Sequence, residues 1–277
     1  MDAPEGFPPG HFYSPIANLG EVWSRQEHIF QVPLSLSGID LNEKTQCEII
    51  AALSAHFPNI NLPAGKCRGL RFYYNNPNYG HGEGLIYASF LRDLRPNHVI
   101  EIGSGFSTLL LLDVLEQIHA TATTCICIEP YPDLLLSLLS APDRERVEIR
   151  ACAAQEASLD WFARLERGDI LFVDSTHVSK VGSDVNRILF EILPRLRPGV
   201  IVHFHDIYYP FEYPKEWIFQ GRNWNEAYIM RAFLQYNERY KIVCFNSYLG
   251  QFHPELFRET KPLFLDNPGS SLWLLSC

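Results

Sequence analysis

From about residue 95 to the end of the chain, short runs of apolar residues alternate with longer segments of helical character. The apolar runs are nearly continuous, which is typical of parallel strands that are covered on both faces. Five strand–helix repeats in series predict an α/β domain with a doubly wound sheet. The predicted strands are 98–103, 123–130, 147–152, 169–174 and 199–206. The helices predicted after them are 106–120, 132–140, 155–168, 183–196 and 223–237.

Two further apolar runs, 240–246 and 270–276, follow without a full helix between them. They predict a hairpin at one edge, which makes the sheet mixed, mostly parallel and seven-stranded. Ligands of doubly wound folds bind beyond the carboxyl ends of the strands. Several polar residues stand at those ends, although burying such groups without partners is costly. They are Glu101, Glu129, Asp174, His205 and Asp206.

Residues 1–95 follow a different pattern. Two segments, 14–30 and 40–57, predict helices, the second with Asp40 as its cap. A polar aromatic loop and a third helix follow before the first strand. We therefore expect residues 1–95 to form a helical extension that packs on the main domain, residues 96–277, and closes over its site.

The composition is that of a soluble globular protein, with 277 residues of which 47% are hydrophobic and 20% charged. A net charge of −9 and the lack of a visible basic patch argue against nucleic acid as a partner. No run reaches the roughly 18–20 apolar residues of a membrane span, and the acidic, proline-rich start lacks the apolar core of a signal peptide. The seven cysteines are scattered. We expect a reduced, cytoplasmic protein that acts on a small molecule and not at a membrane, with a homodimer left open.

The first predicted strand leads into a glycine-containing loop, EIGSGFST, at 101–108. Gly103 and Gly105 permit a tight turn and the close approach of a ligand to the backbone. A dinucleotide fingerprint would place a third glycine at position 108, where the chain has threonine. Glu101 would repel a pyrophosphate but suits an ammonium or sulfonium group, and Glu129 is placed to accept hydrogen bonds from both hydroxyls of a ribose. The alternative is an ordinary tight turn.

This loop and the strand order resemble those of the class I S-adenosylmethionine (SAM)-dependent methyltransferases, whose first motif is an acidic residue, any residue and Gly-x-Gly. The resemblance covers roughly residues 95–277. It implies that Glu101, Gly103 and Gly105 line the methionine part of SAM, that Glu129 holds the ribose and that Gln155 approaches the adenine. It also implies that Ser104, Pro130 and Asp174 bind the cofactor. The phrases FPPGHFYSPI, LFVDSTHVSKVGSDVN and HFHDIYYPFEYP also resemble bacterial methyltransferase-domain proteins of mostly unassigned substrate.

A second constellation lies at the ends of the fourth and fifth predicted strands, which are neighbours in this fold. Asp174 ends the fourth strand, and His205 and Asp206 end the fifth. The pattern is similar to divalent-metal-dependent O-methyltransferases of the catechol and sugar types, and the resemblance implies Asp174, His205 and Asp206 as metal ligands. His177 stands where the catechol type has a catalytic lysine, which implies a base beside Asp174. A histidine at 205, where those families usually have aspartate, shifts the expected ion from magnesium toward manganese, iron or zinc.

Each of these residues also has a structural explanation. Asp206 could cap the turn after its strand, and His177 could be a loop residue near solvent. His203 shares a strand face with His205, and we expect it to hydrogen-bond within the fold. Two histidines and a carboxylate could also form a facial triad for iron-based oxygenation, although such triads usually lie on barrel-like β folds. A third class is a non-catalytic SAM-fold protein that binds a partner.

Residues 207–224 form a long insertion directly after the implied metal ligands, and loops at such places are often lids. Tyr209 and Trp224 suit stacking on a sugar or an aromatic ring, and Arg222 suits a carboxylate or phosphate. The alternative is that the aromatic residues only pack the loop down. The sequence thus predicts a SAM-dependent enzyme that methylates a hydroxyl of a small polar molecule, sugar-like or phenolic. A divalent metal would lower the pKa of that hydroxyl, and His177 would take its proton.

Overall fold

The computed structural model of the chain describes residues 6–277. Its strands are β1 (His98–Ile102), β2 (Thr124–Ile128), β3 (Val147–Arg150), β4 (Ile170–Val173), β5 (Ile201–Phe204), β6 (Tyr240–Phe245) and β7 (Leu272–Ser276). They form a seven-stranded sheet in the order β3-β2-β1-β4-β5-β7-β6. Every strand predicted from the apolar runs is present.

The strands β1 to β5 pair in parallel, and β7 lies antiparallel between β5 and β6. The predicted mostly parallel, seven-stranded mixed sheet is therefore confirmed. The two central strands β4 and β5 are buried along their whole length, so every side chain in them meets protein on one face or the other. This explains why their sequences are apolar except for His203.

The helices surround this sheet. They are α1 (Leu19–Ser24), α2 (Gln26–Ile29), α3 (Glu43–Leu53), α4 (His81–Leu94), α5 (Phe106–Gln117), α6 (Asp133–Leu138), α7 (Ala141–Arg144), α8 (Leu159–Phe162), α9 (Asp184–Arg187), α10 (Lys215–Phe219), α11 (Glu226–Leu234), α12 (Asn246–Phe252), α13 (Glu255–Arg258) and α14 (Leu263–Asp266). A 3₁₀ segment, Ser54–Asn59, continues α3. A π-helical turn, Ile188–Ile192, and a 3₁₀ turn, Leu193–Arg195, continue α9.

The predicted helix 155–168 is shorter in the structure, where only the single turn α8 forms. Ser158 Oγ accepts a hydrogen bond from Asp160 N at 3.3 Å and starts this turn. The carboxylate of Asp169 accepts one from Glu166 N at 2.9 Å, which holds the following residues in a turn before β4. Side-chain bonds to nearby backbone groups compete with helix continuation, and here they end it.

The start of α3 also differs from the prediction, which placed Asp40 at its cap. Asn42, with a left-handed backbone (φ 53°), directly precedes the helix, and Asp40 Oδ1 instead accepts a hydrogen bond from Asn42 N at 2.8 Å. The side chain of Asn42 donates to the carbonyl of Ile242 in β6 at 3.0 Å. Asp40 therefore shapes the turn before the helix, and Asn42 ties that turn to the edge strand.

α3 covers the edge of the sheet at β6. Gln46 is fully buried there, and its Oε1 accepts a hydrogen bond from Phe245 N at 2.7 Å. Its Nε2 donates to the carbonyl of Leu41 at 2.6 Å. An edge strand has backbone groups without strand partners, and this buried amide satisfies one of them.

α4 carries part of the N-terminal region to the carboxyl ends of the strands. Its residues from His81 to Leu91 are buried. A Cβ on Gly82 would lie 2.4 Å from the carbonyl oxygen of Pro268, so only glycine permits this approach. The close packing places Glu83, in the first turn of α4, next to the end of β5. The division into 1–95 and 96–277 stays a prediction, and residues 1–5 of that extension lie outside the described residues.

The longest described helix is α4, with 14 residues. Within residues 6–277, no helix combines the length and the apolar composition needed to cross a membrane.

Candidate active site

The ends of β4 and β5 lie side by side and bring Asp174 and His205 together. The register pairs Val173 with Phe204, and His205 N donates to the carbonyl of Val173 at 2.9 Å. Asp174 Oδ1 lies 3.3 Å from His205 Nδ1. Two of the three implied metal ligands are therefore in contact.

His177 reaches the same place from the loop after β4. Its backbone is left-handed (φ 59°), and its carbonyl accepts hydrogen bonds from Asn225 N at 3.0 Å and Glu226 N at 3.1 Å. Its Nε2 lies 3.3 Å from Asp174 Oδ1. The side chain is buried, so the alternative of a loop residue near solvent is wrong. Ligand-type atoms of Asp174, His177 and His205 all lie within 4.8 Å of one another.

Asp206 adds a fourth donor. Its Oδ2 lies 3.6 Å from both His177 Nε2 and His205 Nδ1, and its Oδ1 accepts a hydrogen bond from Ser270 Oγ at 2.9 Å. Carboxylate oxygens and imidazole nitrogens thus alternate around a ring of contacts 3.3–3.6 Å long. Asp174, His177 and His205 form the compact group, and Asp206 lies beside its two histidines. Carboxylate oxygens and imidazole nitrogens are common ligands of divalent metal ions, so the chemistry of these residues fits a divalent cation.

A buried carboxylate holds the other ring nitrogen of each histidine. Glu226 Oε2 lies 2.8 Å from His177 Nδ1, and Glu83 Oε1 lies 3.0 Å from His205 Nε2. Glu83 also accepts hydrogen bonds from Ser270 N and Ser270 Oγ, both at 3.0 Å. Carboxylate–imidazole pairs of this kind orient histidines that bind metal ions and fix which nitrogen faces the ion. The other nitrogens, Nε2 of His177 and Nδ1 of His205, face Asp174 and Asp206 in the ring of donors.

Burial and charge pairing act on the pKa values of this cluster in opposite directions. Burial lowers the pKa of His177, but its hydrogen bonds to Asp174 and Glu226 outweigh burial and raise it to about 10. Burial would raise the pKa of Glu83, yet the charge of His205 and backbone N–H donors lower it to about 2. His205 and His177 likewise hold the pKa of Asp174 well below its usual range against the effect of burial. Asp174 and Glu83 are therefore anionic, and they favour positive charge at this place.

His203 stays out of the cluster, as expected from the sequence. Its Nε2 lies 2.8 Å from Ser271 Oγ, and its ring stacks on Phe172 with centroids 4.0 Å apart. Complete burial lowers its pKa well below the usual value, so it is a neutral core histidine.

The glycine loop after β1 lies directly beside this cluster. Gly103 N donates to the carbonyl of Ile128 at 3.0 Å, and a Cβ at Gly103 (φ 79°) would lie 1.8 Å from the carbonyl oxygen of Asp174. The contact requires glycine, because backbone occupies the space of any side chain. Glu129, at the end of β2, accepts hydrogen bonds from Ser104 N at 3.3 Å and Tyr131 N at 3.0 Å. Gly103, Ser104 and Glu129 are therefore brought together.

Glu101 lies below this loop, in the core. It is fully buried; its Oε2 accepts a hydrogen bond from Thr108 Oγ1 at 2.5 Å, and Tyr87 OH lies 3.4 Å from its Oε1. Burial raises its pKa to about 7, against the opposing effect of these hydrogen bonds. In this structure its carboxylate faces the helices under the loop, and its predicted contact with the methionine part of SAM stays a prediction.

Two buried hydroxyls flank the loop and have no hydrogen-bond partner among the described residues, Ser104 Oγ and Ser175 Oγ. Buried polar atoms of this kind are uncommon, because losing water without a replacement partner is unfavourable. They are donors and acceptors that a bound polar cofactor can satisfy, so the loop fits SAM. Gln155 and Pro130 are exposed, and Gln155 Nε2 donates to the carbonyl of Gly182 at 3.0 Å. Their implied contacts with SAM, at the adenine for Gln155, stay predictions.

A cavity of about 660 Å³ contains the cluster. The loop before α4, the ends of β4 and β5, and the lid segment 207–224 all line it. The ring of Trp224 lies over His177, with centroids 4.4 Å apart, and Trp217 meets Trp224 edge to face at 5.4 Å. Arg222 also lines the cavity.

Tyr209 is not part of this cavity, which corrects its assignment to the substrate. Its hydroxyl donates to the carbonyl of Pro33 at 2.6 Å, and its ring packs against Phe245 and Tyr248. Tyr209 therefore fastens the lid to the N-terminal region. The preceding residue, Tyr208, lines the cavity instead.

Four residues of the cluster and cavity were missed in the sequence. They are Glu83, Glu226, Tyr208 and Trp217. A signal existed for Glu83, which is an acidic residue within the otherwise apolar start of α4, HGEGLIYASF. A carboxylate in such a helix needs a buried partner. Glu226 resembled an ordinary acidic residue in a first helical turn, and its partner lies 49 residues away in sequence.

Comparison with known proteins gives this site a context. Residues 100–207 match a family described as methyltransferase domain, and this range includes the glycine loop, Glu129, Asp174 and His205–Asp206. An uncharacterized protein of Archaeoglobus fulgidus is 35% identical over 170 residues, which cover 59% of this chain and 76% of that protein.

Solved structures with a similar course of the chain include two enzymes. The O-methyltransferase from Bacillus cereus, in complex with S-adenosylhomocysteine (SAH), is 17% identical, with 92% of this chain and 99% of that chain covered and a TM-score of 0.45. The O-methyltransferase TomG from Streptomyces achromogenes, in complex with SAM, is 14% identical, with 94% and 97% covered and a TM-score of 0.46. Likeness at this level assigns no substrate.

Proposed function

Because the chain belongs to the class I SAM-dependent methyltransferases, we propose that it methylates a hydroxyl of a small polar acceptor with the help of a divalent cation. The acceptor class is sugar-like or phenolic. One observation carries the proposal: two carboxylates and two imidazoles alternate at 3.3–3.6 Å at the ends of β4 and β5. This ring adjoins the glycine loop, since Gly103 packs on the carbonyl of Asp174.

The cofactor side of the site consists of the glycine loop and the end of β2. We assign the ribose hydroxyls of SAM to the carboxylate of Glu129, and polar groups of SAM to the unpartnered hydroxyls of Ser104 and Ser175. We call the four donors Asp174, His177, His205 and Asp206 the donor ring. The close approach of Gly103 to the carbonyl of Asp174 keeps the glycine loop next to this ring. A methyl group carried by SAM would then lie near the acceptor hydroxyl, and such positioning is a large part of catalysis in transfer reactions.

We assign the cation to Asp174, His177, His205 and Asp206. A bound divalent ion would lower the pKa of the acceptor hydroxyl and orient it. Two imidazoles among four donors favour manganese, iron or zinc over magnesium, which prefers oxygen ligands. Glu226 and Glu83 would orient the two imidazoles toward the ion.

The position of His177 changes its role from the one first expected. Both ring nitrogens face carboxylates, Nδ1 toward Glu226 and Nε2 toward Asp174 and Asp206. This arrangement suits a ligand better than a free base. Among the described residues Asp174 Oδ2 has no hydrogen-bond partner, and Asp174 lines the cavity. Because the pKa of Asp174 is held well below its usual range, this oxygen is a weak base. We therefore assign the hydroxyl proton to solvent in the cavity, while the hydroxyl oxygen takes the methyl group and SAM becomes SAH.

Methyl transfer from isotopically labelled SAM to a panel of phenols and sugars tests the proposal. We expect turnover to disappear when the protein is stripped of metal with a chelator and to return with Mn²⁺ more fully than with Mg²⁺. His205→Gln should lose turnover in the same way, because it removes an assigned ligand, and His56→Gln is its matched control, because His56 pairs with Asp93 on the surface. Turnover that survives complete removal of metal would contradict the role of the cation and leave the methyltransferase assignment in place.

Iron-based oxygenation is a second candidate function. The observation that supports it is the set of donor types in the cluster. Asp174, His177 and His205 have the donor types of a two-histidine, one-carboxylate triad. Asp206, at 3.6 Å from both histidines, provides a fourth donor that such a triad does not need. Oxygen consumption by Fe²⁺-loaded protein in the presence of acceptors, without any requirement for SAM, would support this candidate against methyl transfer.

A further inference from the structure

The lid holds an arginine between two indole rings. The guanidinium carbon of Arg222 lies 4.2 Å from the ring centre of Trp217 and 5.2 Å from that of Trp224. The backbone reinforces this arrangement, because Arg222 N donates to the carbonyl of Trp217 at 3.0 Å. Two aromatic contacts restrict the plane of the guanidinium, while the N–H groups at its edge stay free to bind an acceptor.

The charge of Arg222 has no counterion in the described chain. No carboxylate of residues 6–277 lies within 4.0 Å of its guanidinium, and no described side chain accepts a hydrogen bond from it. Among the described residues that line the cavity, Arg222 is the only Lys or Arg. The cavity carboxylates Asp174, Asp206 and Glu83 are already paired with histidines. Arg222 is therefore a positive charge at one side of a cavity whose anions are engaged at the other.

The lid fixes Arg222 relative to the donor ring. Trp224 contacts both Arg222 and His177. The next two residues, Asn225 and Glu226, donate backbone hydrogen bonds to the carbonyl of His177, and Asn225 Oδ1 accepts one from Ser179 N at 2.6 Å. Arg222 itself is exposed. These contacts hold the residues next to it against the loop after β4, so Arg222 and the donor residues border the same cavity.

We propose that the methyl acceptor carries an anionic group, a carboxylate or a phosphate, which Arg222 binds while the hydroxyl lies at the Asp174–His205 side. The inference rests on the proposed function, because it names the class of acceptor for the same site. Arginine binds both anions through two parallel N–H groups, so the shared chemistry is a planar pair of anionic oxygens. The flanking indoles cover the apolar part of the acceptor next to that anion.

Catechol probes that differ in the charge and type of one ring substituent test this inference. The full chain is loaded with SAH and Mn²⁺ and titrated with 3,4-dihydroxybenzoate, with neutral 3,4-dihydroxybenzyl alcohol and with 3,4-dihydroxyphenylphosphonate. We expect the two anions to bind about tenfold or more tightly than the alcohol, since charge-assisted hydrogen bonds are among the strong ones. Arg222→Gln should weaken anion binding about tenfold to a hundredfold and leave the alcohol unchanged. Arg222→Lys should restore only part of the affinity, because an ammonium is a point charge.

A second titration removes the dependence on the catechol ring. Inorganic phosphate is added to SAH-loaded, metal-free protein, and the fluorescence of Trp217 and Trp224 reports its binding. We expect a saturable change in the natural protein that is lost in Arg222→Gln. A larger effect of the phosphonate than of the benzoate would identify a phosphate as the group, and the reverse would identify a carboxylate.

Two results would overturn the inference. One is equal affinity for the charged and the neutral catechols. The other is that neither phosphate nor either anionic probe shows binding that depends on Arg222. The same samples separate this failure from a failure of the proposed function. SAH and Mn²⁺ binding with no anion preference leaves the methyltransferase in place and removes only the anionic acceptor. Loss of SAH binding itself removes both.

Discussion

The proposed site has a cofactor side, Gly103, Ser104 and Glu129, and a metal side, Asp174, His177, His205 and Asp206. The two sides are built in different ways. Gly103, Ser104 and Glu129 follow two adjacent parallel strands, and backbone hydrogen bonds position them. The metal donors come from the ends of β4 and β5 and the loop after β4, and the groups that hold them come from α4, α11 and Ser270, which precedes β7. The first side depends on local backbone geometry, and the second depends on side chains that meet only after the whole domain has folded. The two sides should therefore respond independently to substitution.

Asp174→Ala should have the largest effect and separate the two sides completely. We expect methyl transfer to fall at least about a thousandfold and Mn²⁺ binding to be lost, because the assigned ligand that contacts both histidines is removed. SAH affinity should change less than about threefold, since the backbone carbonyl of Asp174 that contacts Gly103 is retained. Calorimetry with SAH and with Mn²⁺ measures both. Equal loss of SAH and metal binding would show that Asp174 belongs to both sides.

Glu101→Gln probes the core beneath the cofactor side. Burial raises the pKa of Glu101 to about 7 in the folded protein, above the ordinary glutamate value of 4.5. A raised pKa stabilises the fold below pH 4.5, where the group is protonated in both states, and this contribution is lost as the pH rises toward 7. The difference in unfolding free energy between the natural protein and the variant should therefore change by about 3 kcal/mol over this range.

Urea unfolding of both metal-free proteins at a series of pH values measures this difference in unfolding free energy. The contributions of the other titrating groups are the same in both proteins and cancel. A difference that does not depend on pH would show that Glu101 is ionised in the folded state. Its carboxylate would then have to be available for the ammonium of SAM, as the sequence had implied.

Glu226→Gln sharpens the contrast on the metal side. Its carboxylate holds His177 Nδ1 at 2.8 Å, and loss of such a supporting carboxylate typically weakens metal binding about tenfold to a hundredfold. SAH affinity should be unchanged. Glu238→Gln is a control of the same chemistry on the exposed surface. Unchanged Mn²⁺ affinity in Glu226→Gln would mean that His177 is not a ligand, and the role of a free base would return to it.

Glu129→Ala should have the smallest of these effects and act on the cofactor side alone. Loss of hydrogen bonds from the ribose to a charged carboxylate should weaken SAH binding about tenfold. Mn²⁺ binding should be unaffected, because Glu129 makes no contact with the donor ring. An unchanged SAH affinity would remove Glu129 from the ribose site.

The contrast also explains what the sequence could predict. Asp174 and His205 were found because the strand order makes β4 and β5 neighbours, so residues at their ends must meet. Glu83 and Glu226 were missed because their partners lie far away in sequence. Glu226 resembles an ordinary acidic residue in the first turn of a helix, and the apolar surroundings of Glu83 indicate a buried partner without indicating which one. Patterns along the chain record which residues end a strand, but they do not record which helix terminus packs against that end.

The lid shows the same limit on a smaller scale. Arg222 and Trp224 were predicted to face the substrate, and both line the cavity. Tyr209 was predicted with them, yet its hydroxyl bonds Pro33 and its neighbour Tyr208 takes its place. Composition identified an aromatic lid, whereas the direction of each side chain depends on an irregular backbone that has no period to follow.

We have assigned a SAM site that is formed by local backbone and, beside it, a metal site that does not depend on it. Calorimetric titration of SAH into metal-stripped protein, repeated after loading with Mn²⁺, tests both assignments. We expect one SAH site per chain in both titrations and one Mn²⁺ site in the loading step. Absence of SAH binding in both conditions would contradict the account, and the cluster of His177, His205 and Asp174 would then have to be tested as an iron site.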